Sequence, residues 1–387
     1  GRDTSLFGRL GVTSSLFHGI WETSLQVAAL RHDRHYTDPF SPDYPLGTFG
    51  DSGYRGQRES LDWANTVHLP DLGPVRQLNF TFGYQHLSDQ ARVTVNTLSG
   101  GFPYDQALSA HSDSDSGYAG LQGVLWRRLT VSAQGREEAT TLGGDALTGR
   151  IGGVLALPEA YARLKASYGT AFLAPSLYDK YGVDSFGYQG NPNLRPEHSD
   201  GGDAGIELDL PFSKPIATIS ATYFWNRYQD LIQYVFAPVD TVVNIARARA
   251  SGVELVLTLR PAPWATIYAD YTYTDTRDET TGMRLLRRPL NAASLRADLR
   301  PLPRLTVAPE LIYTGSFVDE LVDDTGQSIG PGLARSGLIA NLNVEYQLRP
   351  KITLFAWARN IGGSRFEPAS GYQTPGASVL AGVRAGF

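Results

Sequence analysis

Side chains able to do covalent, acid–base or metal chemistry are present in this 387-residue sequence, but they are not grouped. There is no cysteine, which excludes disulfides, thiolate metal sites, iron–sulfur clusters and cysteine nucleophiles together. The serine, histidine and aspartate residues are scattered over alternating segments, with no nucleophile elbow and no carboxylate pair at motif spacing. The sequence therefore predicts a protein that is not an enzyme. A barrel enzyme, the alternative, would require turnover of lipid or peptide substrates.

Composition by itself suggests a soluble protein. The length is compatible with two or three globular domains. The formal net charge of −5 argues against nucleic acid as the main partner. No segment approaches the roughly 20 consecutive apolar residues of a transmembrane helix, and the first residues do not resemble a signal peptide. The hydrophobic pattern contradicts this first impression.

Apolar and polar residues alternate through most of the chain, as they do in strands with one apolar and one polar face. Between residues 264 and 274, Ile267, Tyr271 and Tyr273 share one face, and Asp270 and Thr272 share the other. The same alternation occurs in segments 161–168, 216–226, 252–260, 291–300, 337–347 and 351–358. Many of these strands are about ten residues long, enough to cross a bilayer when tilted, whereas strands of soluble proteins have a mode near 5–6.

The apolar faces often end in an aromatic residue, as at Tyr223, Trp225, Tyr273 and Tyr346. Aromatic girdles of this kind lie where the outward band of a barrel meets lipid headgroups. A soluble β-sandwich also alternates, but over shorter strands. The pattern therefore favours a transmembrane antiparallel β-barrel.

Two kinds of connection alternate along the sequence. Short, proline-rich connections lie at 70–75, 158–160, 211–215, 261–264, 301–304 and 349–351. Long, polar, glycine-rich connections lie at 37–54, 98–114, 173–197, 275–286, 319–333 and 362–375. Periplasmic turns of bacterial outer-membrane barrels are short and extracellular loops are long. Pro309 lies within a predicted strand at 305–316, where we expect a bulge.

The strand count predicts that the chain begins part-way through its barrel. Counting back from the last strand gives about sixteen or seventeen strands, whereas single-chain bacterial barrels have an even number. The first turn, at residues 18–20, is then periplasmic, and the opening strand begins at the extracellular side. Unless the count is wrong by one, we expect the first strands to be absent.

Several motifs resemble those of TonB-dependent outer-membrane receptors. Residues 167–178 read SYGTAFLAPSLY and include Tyr168, Gly169 and Pro175. Residues 190–197 read GNPNLRPE. NRYQDLI, SGVEL, ARNI and GYQTPG follow in the same order and spacing as in that family. The cobalamin receptors of the family are the most similar. WANTV at 63–67 and YTDP at 36–39 extend the resemblance over essentially the whole chain.

The resemblance implies a barrel of the 22-stranded receptor type, filling residues 1–387 with its C-terminal portion. In this family a plug domain and a TonB-binding segment precede the barrel, and nothing in the chain resembles them. The implied function is uptake of a scarce large ligand, cobalamin or a similar metal chelate, energised through TonB. The implied surroundings are outer-membrane lipid, lipopolysaccharide and the barrel-assembly machinery in a Gram-negative bacterium. A plugless passive pore and a structural barrel within a larger complex are the alternatives.

The family motifs also have structural interpretations. In the NPNLRPE string, the two prolines restrict the backbone and the asparagines favour side-chain turns, so a rigid loop is expected more than a ligand contact. The motif residues of this string and of SGVEL are Asn191, Pro192, Asn193, Pro196, Glu197, Gly252 and Glu254. Strict alternation places Arg247 and Arg249 on the apolar face. Either they lie above the apolar band, or a bulge near Gly252 turns them inward.

Position in the loops gives candidate ligand contacts. These are Tyr188 and Gln189 beside the NPNL string, and Tyr372 and Gln373 in the last loop. Haem receptors of this family carry a histidine between the FLAP-like and NPNL motifs, and residues 173–190 contain none, which disfavours haem.

Cobalamin receptors of the family bind calcium through loop aspartates. The corresponding candidates here are Asp38, Asp43 and Asp51, which could supply part of the six to eight oxygens that calcium takes. Ordinary exposed aspartates are the simpler interpretation. The terminal Phe387 resembles the signal that the barrel-assembly machinery reads, and it also fits an ordinary girdle aromatic.

Overall fold

The computed structural model describes residues 1–42, 47–183, 188–210, 216–235, 240–323 and 327–386. Within these ranges the chain forms nineteen strands and one five-residue α-helix, α1 (Leu177–Tyr181). No helix of the described residues is long and apolar enough to span a membrane. The chain divides into two compact units. Unit 1 comprises residues 1–153, 167–200 and 227–247, and unit 2 the rest.

Unit 1 contains six complete strands joined as successive antiparallel hairpins. They are β1 (Arg2–Leu16), β2 (Trp21–Asp38), β3 (Thr48–Leu69), β4 (Val75–Ser99), β5 (Phe102–Leu125) and β6 (Leu129–Thr140). Each pairs with the next, and the β2–β3 ladder runs without interruption from Trp21↔Val67 to Asp38↔Gly50. These long ladders satisfy nearly every backbone N–H and C=O of the strands, which leaves the side chains to define two faces.

Unit 2 contains eight complete strands. They are β12 (Ala265–Asp278), β13 (Asn291–Leu302), β14 (Leu305–Thr314), β15 (Phe317–Val322), β16 (Ser328–Ala334), β17 (Gly337–Arg349), β18 (Ile352–Arg359) and β19 (Ser378–Ala385). β15 and β16 pair only with each other, and β14 pairs past them with β17.

Five further strands lie between these sets in the sequence, and the division between the units falls within them. They are β7 (Gly144–Leu157), β8 (Ala162–Leu173), β9 (Glu197–Leu210), β10 (Ala217–Val235) and β11 (Thr241–Ala262). With the β15–β16 hairpin set apart, seventeen strands remain among the described residues, in agreement with the sixteen or seventeen expected.

The predicted alternation is visible in the exposure of unit 1. Leu25 and Val27 of β2 and Trp63 of β3 are all more than a third exposed on one face. Leu10 and Val12 of β1 share that face, because Leu10 is opposite Val27 and Val12 opposite Leu25. The opposite face carries polar and charged residues. An apolar face left open to this extent is what a strand surface facing lipid requires.

The structure confirms the predicted short connections that lie within the described residues. Two of the predicted long connections are wrong. β3 and β4 are joined at 70–74, β13 and β14 at 303–304, and β17 and β18 at 350–351, whereas 211–215 lies outside the described residues. Residues 98–114 are not a long loop, because β4 and β5 continue to a tight turn at Gly100 and Gly101. Their many serines and aspartates suggested a loop, but they are paired along an unbroken ladder. Residues 319–333 likewise form most of the β15–β16 hairpin.

In the described ladders, the bulge expected at Pro309 is not found, and the alternative bulge near Gly252 is not found in the β11–β12 pairing. Pro309 stays in register opposite Leu342 of β17, and the β13–β14 irregularity lies instead between Leu299 and Leu302. The β11–β12 register is continuous from Ala248 to Leu259, so Arg249 remains on the same face as Val253. Of the two interpretations of this arginine, the structure therefore favours a position beyond the apolar band.

Gly252 of the SGVEL motif has a packing role. A Cβ at this position would collide with the carbonyl oxygen of Tyr273 and lie 2.7 Å from the ring of Phe224. Only a residue without a side chain lets the aromatic ring approach the backbone so closely.

We expect Gly252→Ala to lower the free energy of unfolding by about 1–3 kcal/mol, because both the carbonyl of Tyr273 and the ring of Phe224 have to move away from the new Cβ. Gly117→Ala is the matched control, since a Cβ at that strand position meets nothing within 4 Å. Urea-unfolding midpoints of the detergent-folded protein, followed by tryptophan fluorescence, measure both. Equal midpoints for the two variants would contradict the packing role.

Candidate ligand-binding site

A cavity of about 630 Å³ opens on the polar face of unit 1. Its apolar wall consists of Leu30, Leu87, Leu142, Phe172, Leu173, Ala174, Pro175, Leu177 and Tyr178. Its polar wall includes His32, Arg58, Asp89, Ser112, Ser114, Glu138 and Thr140. A concave, largely apolar surface with a few convergent polar groups is the usual form of a small-molecule site.

The strand ladders bring the wall residues together. Leu30 is opposite Arg58, Arg58 is opposite Asp89, and Asp89 is opposite Ser112. Because directly opposed residues share a face, these side chains point away from the apolar face that carries Leu25. The cavity is therefore formed by side chains that alternate strand geometry directs to one face. These side chains come from positions spread over more than a hundred residues of sequence.

Charged groups of the polar wall are held by paired hydrogen bonds. Arg58 donates from Nε and Nη2 to the two carboxylate oxygens of Asp89, both at 2.7 Å. Ser114 donates to Glu138 at 3.0 Å, and Arg136 donates to the other oxygen of Glu138 at 3.2 Å. A bidentate arginine–carboxylate pair has a fixed geometry, so it presents a rigid polar surface to a ligand.

The FLAP-like motif forms the edge of the cavity. Pro175 is fully buried, and Ser176 is the N-cap of the short helix α1. The Ser176 hydroxyl accepts from the backbone N–H of Asp179 at 3.0 Å, and the Asp179 carboxylate accepts from the Ser176 N–H at 2.9 Å. This capping box fixes the start of the helix. It also sets the position of Tyr178 on the cavity wall.

Three tyrosines stack behind this edge. The ring of Tyr188 lies 4.7 Å from that of Tyr178 and 5.8 Å from that of Tyr234, nearly parallel to both. Tyr188 is 2% exposed and packs with Leu194 and Val242. Both faces of its ring are covered, so the ligand contact predicted for Tyr188 would require the stack to open. Gln189 is exposed, and its N–H donates to the carbonyl of Asp240.

The NPNLRPE string is anchored by asparagine side chains, as its structural interpretation predicts. Asn191 donates to the carbonyl of Val242 at 3.0 Å and accepts from the N–H of Asn193 at 3.0 Å. Asn244, a residue that sequence reasoning did not single out, accepts from the N–H of Arg195 and donates to its carbonyl, both at 2.9 Å. Arg195 also forms an ion pair with Asp230. The loop is thus fastened to the ends of β10 and β11.

Glu197 ends the motif at the loop end of β9. Its carboxylate accepts from the N–H of Ile232 at 2.6 Å. Burial raises the pKa of Glu197 above its usual value, the Ile232 N–H opposes that shift, and the nearby Asp179 adds to it. Pro192 and Pro196 complete the rigid loop. The ring of Pro196 packs close to Gly143, since a Cβ at Gly143 would lie 3.0 Å from it.

Tyr372 and Gln373 belong to unit 2 and are not among the residues that line this cavity. Tyr372 is 75% exposed, as a ligand contact at a loop surface requires. Gln373 lines a second cavity of about 520 Å³ with Arg365, Phe366 and Glu367 among its walls. Asn360 of the ARNI string organises this loop, because its side chain donates to the carbonyls of Ser364 and Pro375, both at 2.8 Å. Asn360 is buried, and its backbone has a positive φ of 47°.

The calcium candidates do not converge in the part of the chain that the structure describes. Asp38 and Asp51 lie at neighbouring rungs of the β2–β3 ladder, where alternation directs them to opposite faces. Asp51 already accepts from the Thr37 hydroxyl at 2.7 Å. The two residues therefore do not fit a common calcium ion by themselves, and Asp43 lies outside the described residues. No group of three or more possible metal ligands occurs within the described ranges.

The remaining predicted residues are structural or exposed. Tyr168 of β8 is 45% exposed. At the adjacent Gly169, a Cβ would lie 3.1 Å from the carbonyl oxygen of Gly149, so the absence of a side chain allows this close approach. Glu254 is exposed opposite Thr272. Phe387 lies outside the described residues, so its role in assembly stays a prediction. Sequence reasoning missed Arg58, Asp89 and Glu138, because nothing in the sequence places three separate strands side by side.

The anchoring role of Glu197 gives a test. We expect Glu197→Ala to lower the free energy of unfolding by about 1–3 kcal/mol, because the Ile232 N–H is left without its acceptor. Glu197→Gln keeps an oxygen acceptor without the charge, so it should stay close to wild type. Denaturant midpoints compare the two variants. Equal losses in both would show that the charge, and not the acceptor, stabilises the loop.

Comparisons with known proteins agree with this geometry. A model of the β-barrel of TonB-dependent receptor-like proteins matches residues 1–361. The vitamin B12 transporter BtuB of Vibrio vulnificus strain YJ016 is 30% identical over 179 residues, which are 42% of this chain and 27% of that transporter.

Two solved structures have a similar fold. The siderophore receptor PirA from Acinetobacter baumannii is 17% identical with a TM-score of 0.77, over 100% of this chain and 62% of that receptor. A variant of the ferric enterobactin receptor PfeA from Pseudomonas aeruginosa is 18% identical with a TM-score of 0.75, over 100% of this chain and 62% of that receptor. This chain thus spans less than two thirds of the receptors it resembles. With the family match extending over most of its residues, the chain belongs to the TonB-dependent receptor β-barrel family.

Proposed function

We propose that this chain is the barrel wall of an outer-membrane receptor that binds a scarce large ligand and imports it with energy delivered through TonB. The observation that carries the proposal is the cavity on the polar face of β2–β6, which combines an apolar wall with the fixed Arg58–Asp89 pair. The family consists of outer-membrane receptors and not of enzymes, which supports a binding function. The plug that couples such barrels to TonB is part of the proposal.

We propose cobalamin, or a similar bulky metal chelate, as the ligand. The match to a vitamin B12 transporter supports this choice. The siderophore receptors share the fold alone. A large ligand would place apolar edges against Leu173 and Tyr178 and polar groups toward Arg58. Because Arg58 and Asp89 are already paired, they neither collapse nor reorganise when a ligand displaces water from the cavity.

The cavity wall can be tested at Leu173, which lines the cavity and is 62% exposed. We expect Leu173→Asp to lower cyanocobalamin affinity about tenfold or more, because the new carboxylate would lose water against an apolar ligand edge. Isothermal titration of the purified protein in detergent measures the affinity. Leu173→Met, which keeps an apolar contact, is the matched control and should bind as wild type does.

Three outcomes would each decide against part of the proposal. Equal binding by Leu173→Asp and wild type would exclude this cavity as the site. Binding of ferric enterobactin in place of cyanocobalamin would retain the receptor and change its ligand. Large, steady conductance in planar bilayers with no ligand binding would favour the passive pore.

Calcium remains a separate prediction, resting on Asp43 as well as on Asp38 and Asp51. If these loop aspartates hold calcium, removing it with EGTA should weaken cyanocobalamin binding, and Asp43→Asn should abolish the effect of EGTA. Asp71→Asn, which changes an exposed aspartate in the β3–β4 turn, is the control. Unchanged affinity in EGTA would remove calcium from the account.

A further inference from the structure

The second cavity, about 520 Å³ in unit 2, has a positively charged wall. Arg335 follows β16, and Arg365 lies in the last loop, which joins β18 to β19. Both side chains are exposed. Glu367, the carboxylate on the cavity wall, accepts from the N–H of Gly371 at 3.2 Å. Among the residues that the structure describes, neither arginine forms an ion pair, so the lining residues carry a net positive charge.

Neutral hydrogen-bond donors accompany the two arginines. Ser336, Ser364 and Gln373 line the same cavity. Over the described ranges, the two hydroxyls and the side-chain amide of Gln373 make no hydrogen bond within the protein. Guanidinium, hydroxyl and amide groups can all donate, and the guanidinium group matches the paired oxygens of a carboxylate or phosphate. The donor set therefore fits an oxyanion.

The polar walls of the cavity are held in place by hydrogen bonds between its segments. The carboxylate of Asp319, fully buried in β15, accepts from Arg287 Nε and from the Ser370 N–H, both at 2.8 Å. The Ser370 hydroxyl accepts from the N–H of Val322 at 3.0 Å. The β15–β16 hairpin is thus fastened to the last loop. Groups that are already positioned lose little entropy when a ligand binds.

An aromatic ring forms the centre of the apolar wall. The ring of Phe366 packs edge-on against that of Phe317, with centroids 6.4 Å apart. A Cβ at Gly337 would overlap the Phe366 ring, so the absence of a side chain lets the last loop approach the start of β17. Leu321 and Leu333 complete this wall. Apolar neighbours lower the local dielectric constant, which strengthens the attraction between a guanidinium group and an anion.

The two arginines come from different segments of the chain. Arg335 belongs to the connection between β16 and β17, and Arg365 to the last loop. One guanidinium group can bind one carboxylate through two parallel hydrogen bonds. An anion with two or more charged groups could therefore engage both arginines at once. The cavity volume lies within the range of small-molecule pockets.

We infer that this cavity binds a small multivalent oxyanion, a polycarboxylate or a phosphate ester, which bridges the β15–β16 hairpin to the last loop. The anion is either free in the medium or an anionic substituent of the imported ligand. The inference goes beyond the proposed function and does not depend on the cavity of unit 1. The two cavities differ in charge, because Arg58 is neutralised by Asp89 whereas Arg335 and Arg365 have no such partner among the described residues.

Isothermal titration of the detergent-solubilised protein with tricarballylate, a small tricarboxylate, tests the inference. We expect the double variant Arg335→Gln/Arg365→Gln to weaken binding about tenfold or more, because both charge-assisted contacts are lost. The trimethyl ester of tricarballylate, which has no charge, should not bind wild type. Arg300→Gln/Arg349→Gln is the matched control, since it removes two exposed arginines at the short-turn ends of β13 and β17. It should bind tricarballylate as wild type does.

Hydrogen exchange measures the bridge itself. We expect saturating tricarballylate to slow exchange of the backbone amides of β16 and of the last loop in wild type, because a ligand held by both segments opposes their local opening. The Arg335→Gln/Arg365→Gln variant should show no slowing. Unchanged exchange in wild type with bound tricarballylate would contradict the bridging role.

The comparison of tricarballylate with its ester uses wild type alone, so it decides the question even if the double variant fails to fold. Equal binding of the two compounds, or an equal loss of tricarballylate affinity in both double variants, would overturn the inference. If Arg335→Gln/Arg365→Gln also loses cyanocobalamin affinity, the anionic group belongs to the imported ligand, and unchanged cyanocobalamin affinity assigns the site to a free anion. Failure of cyanocobalamin to bind wild type would contradict the proposed function and leave the tricarballylate result in force.

Discussion

Backbone hydrogen bonding in the absence of water is the constraint on which the rest of this structure depends. Within a bilayer an unpaired N–H or C=O costs several kcal/mol, so a chain that crosses with strands has to pair every one of them. The long ladders of β2 to β5 meet that requirement, with one irregularity in the β4–β5 pairing between Arg76 and Asn79. Once pairing is complete, each strand has only two faces, and the strand residues of the cavity lie together on one of them.

The two faces of unit 1 perform different tasks with the same strands. On β2, Leu25 and Val27 belong to the apolar face, whereas Leu30 and His32 belong to the wall of the cavity. The apolar face changes to arginine at Arg31, where the outward band ends. A shift of one residue in the register of β2 would exchange the faces, moving the cavity residues into lipid. The length and regularity of the ladders therefore protect both surfaces.

Much of the fold follows from the sequence, because alternation and turn chemistry are local properties. The short proline-bearing turns and the face shared by Val253 and Leu255 needed no tertiary information. The prediction of a long loop at 98–114 was wrong. The serines and aspartates of this stretch are typical of loops, but here they lie in two strands that pair across a two-residue turn. Aspartate is depleted in strands in general, and here pairing with the neighbouring strand outweighs that preference.

The site was less accessible to sequence reasoning. The NPNLRPE loop was predicted to be structural, and the anchoring of Asn191 agrees, but its partner Asn244 lies at a sequence distance that no pattern reveals. Tyr188 is an internal member of a tyrosine stack, because Tyr178 of α1 covers one face of its ring and Tyr234 of β10 the other. Arg58 and Asp89 acquire a common role only when β3 and β4 pair. Cavities of this kind are assembled by register, which the sequence determines only through the whole ladder.

The most direct test of the central claim is an experimental structure of the protein with bound cyanocobalamin. The account predicts ligand density on the polar face of β2–β6, in contact with Leu173 and Tyr178 and within reach of Arg58. Density confined to other surfaces of the barrel, or a cavity filled by the protein's own side chains under saturating ligand, would contradict it.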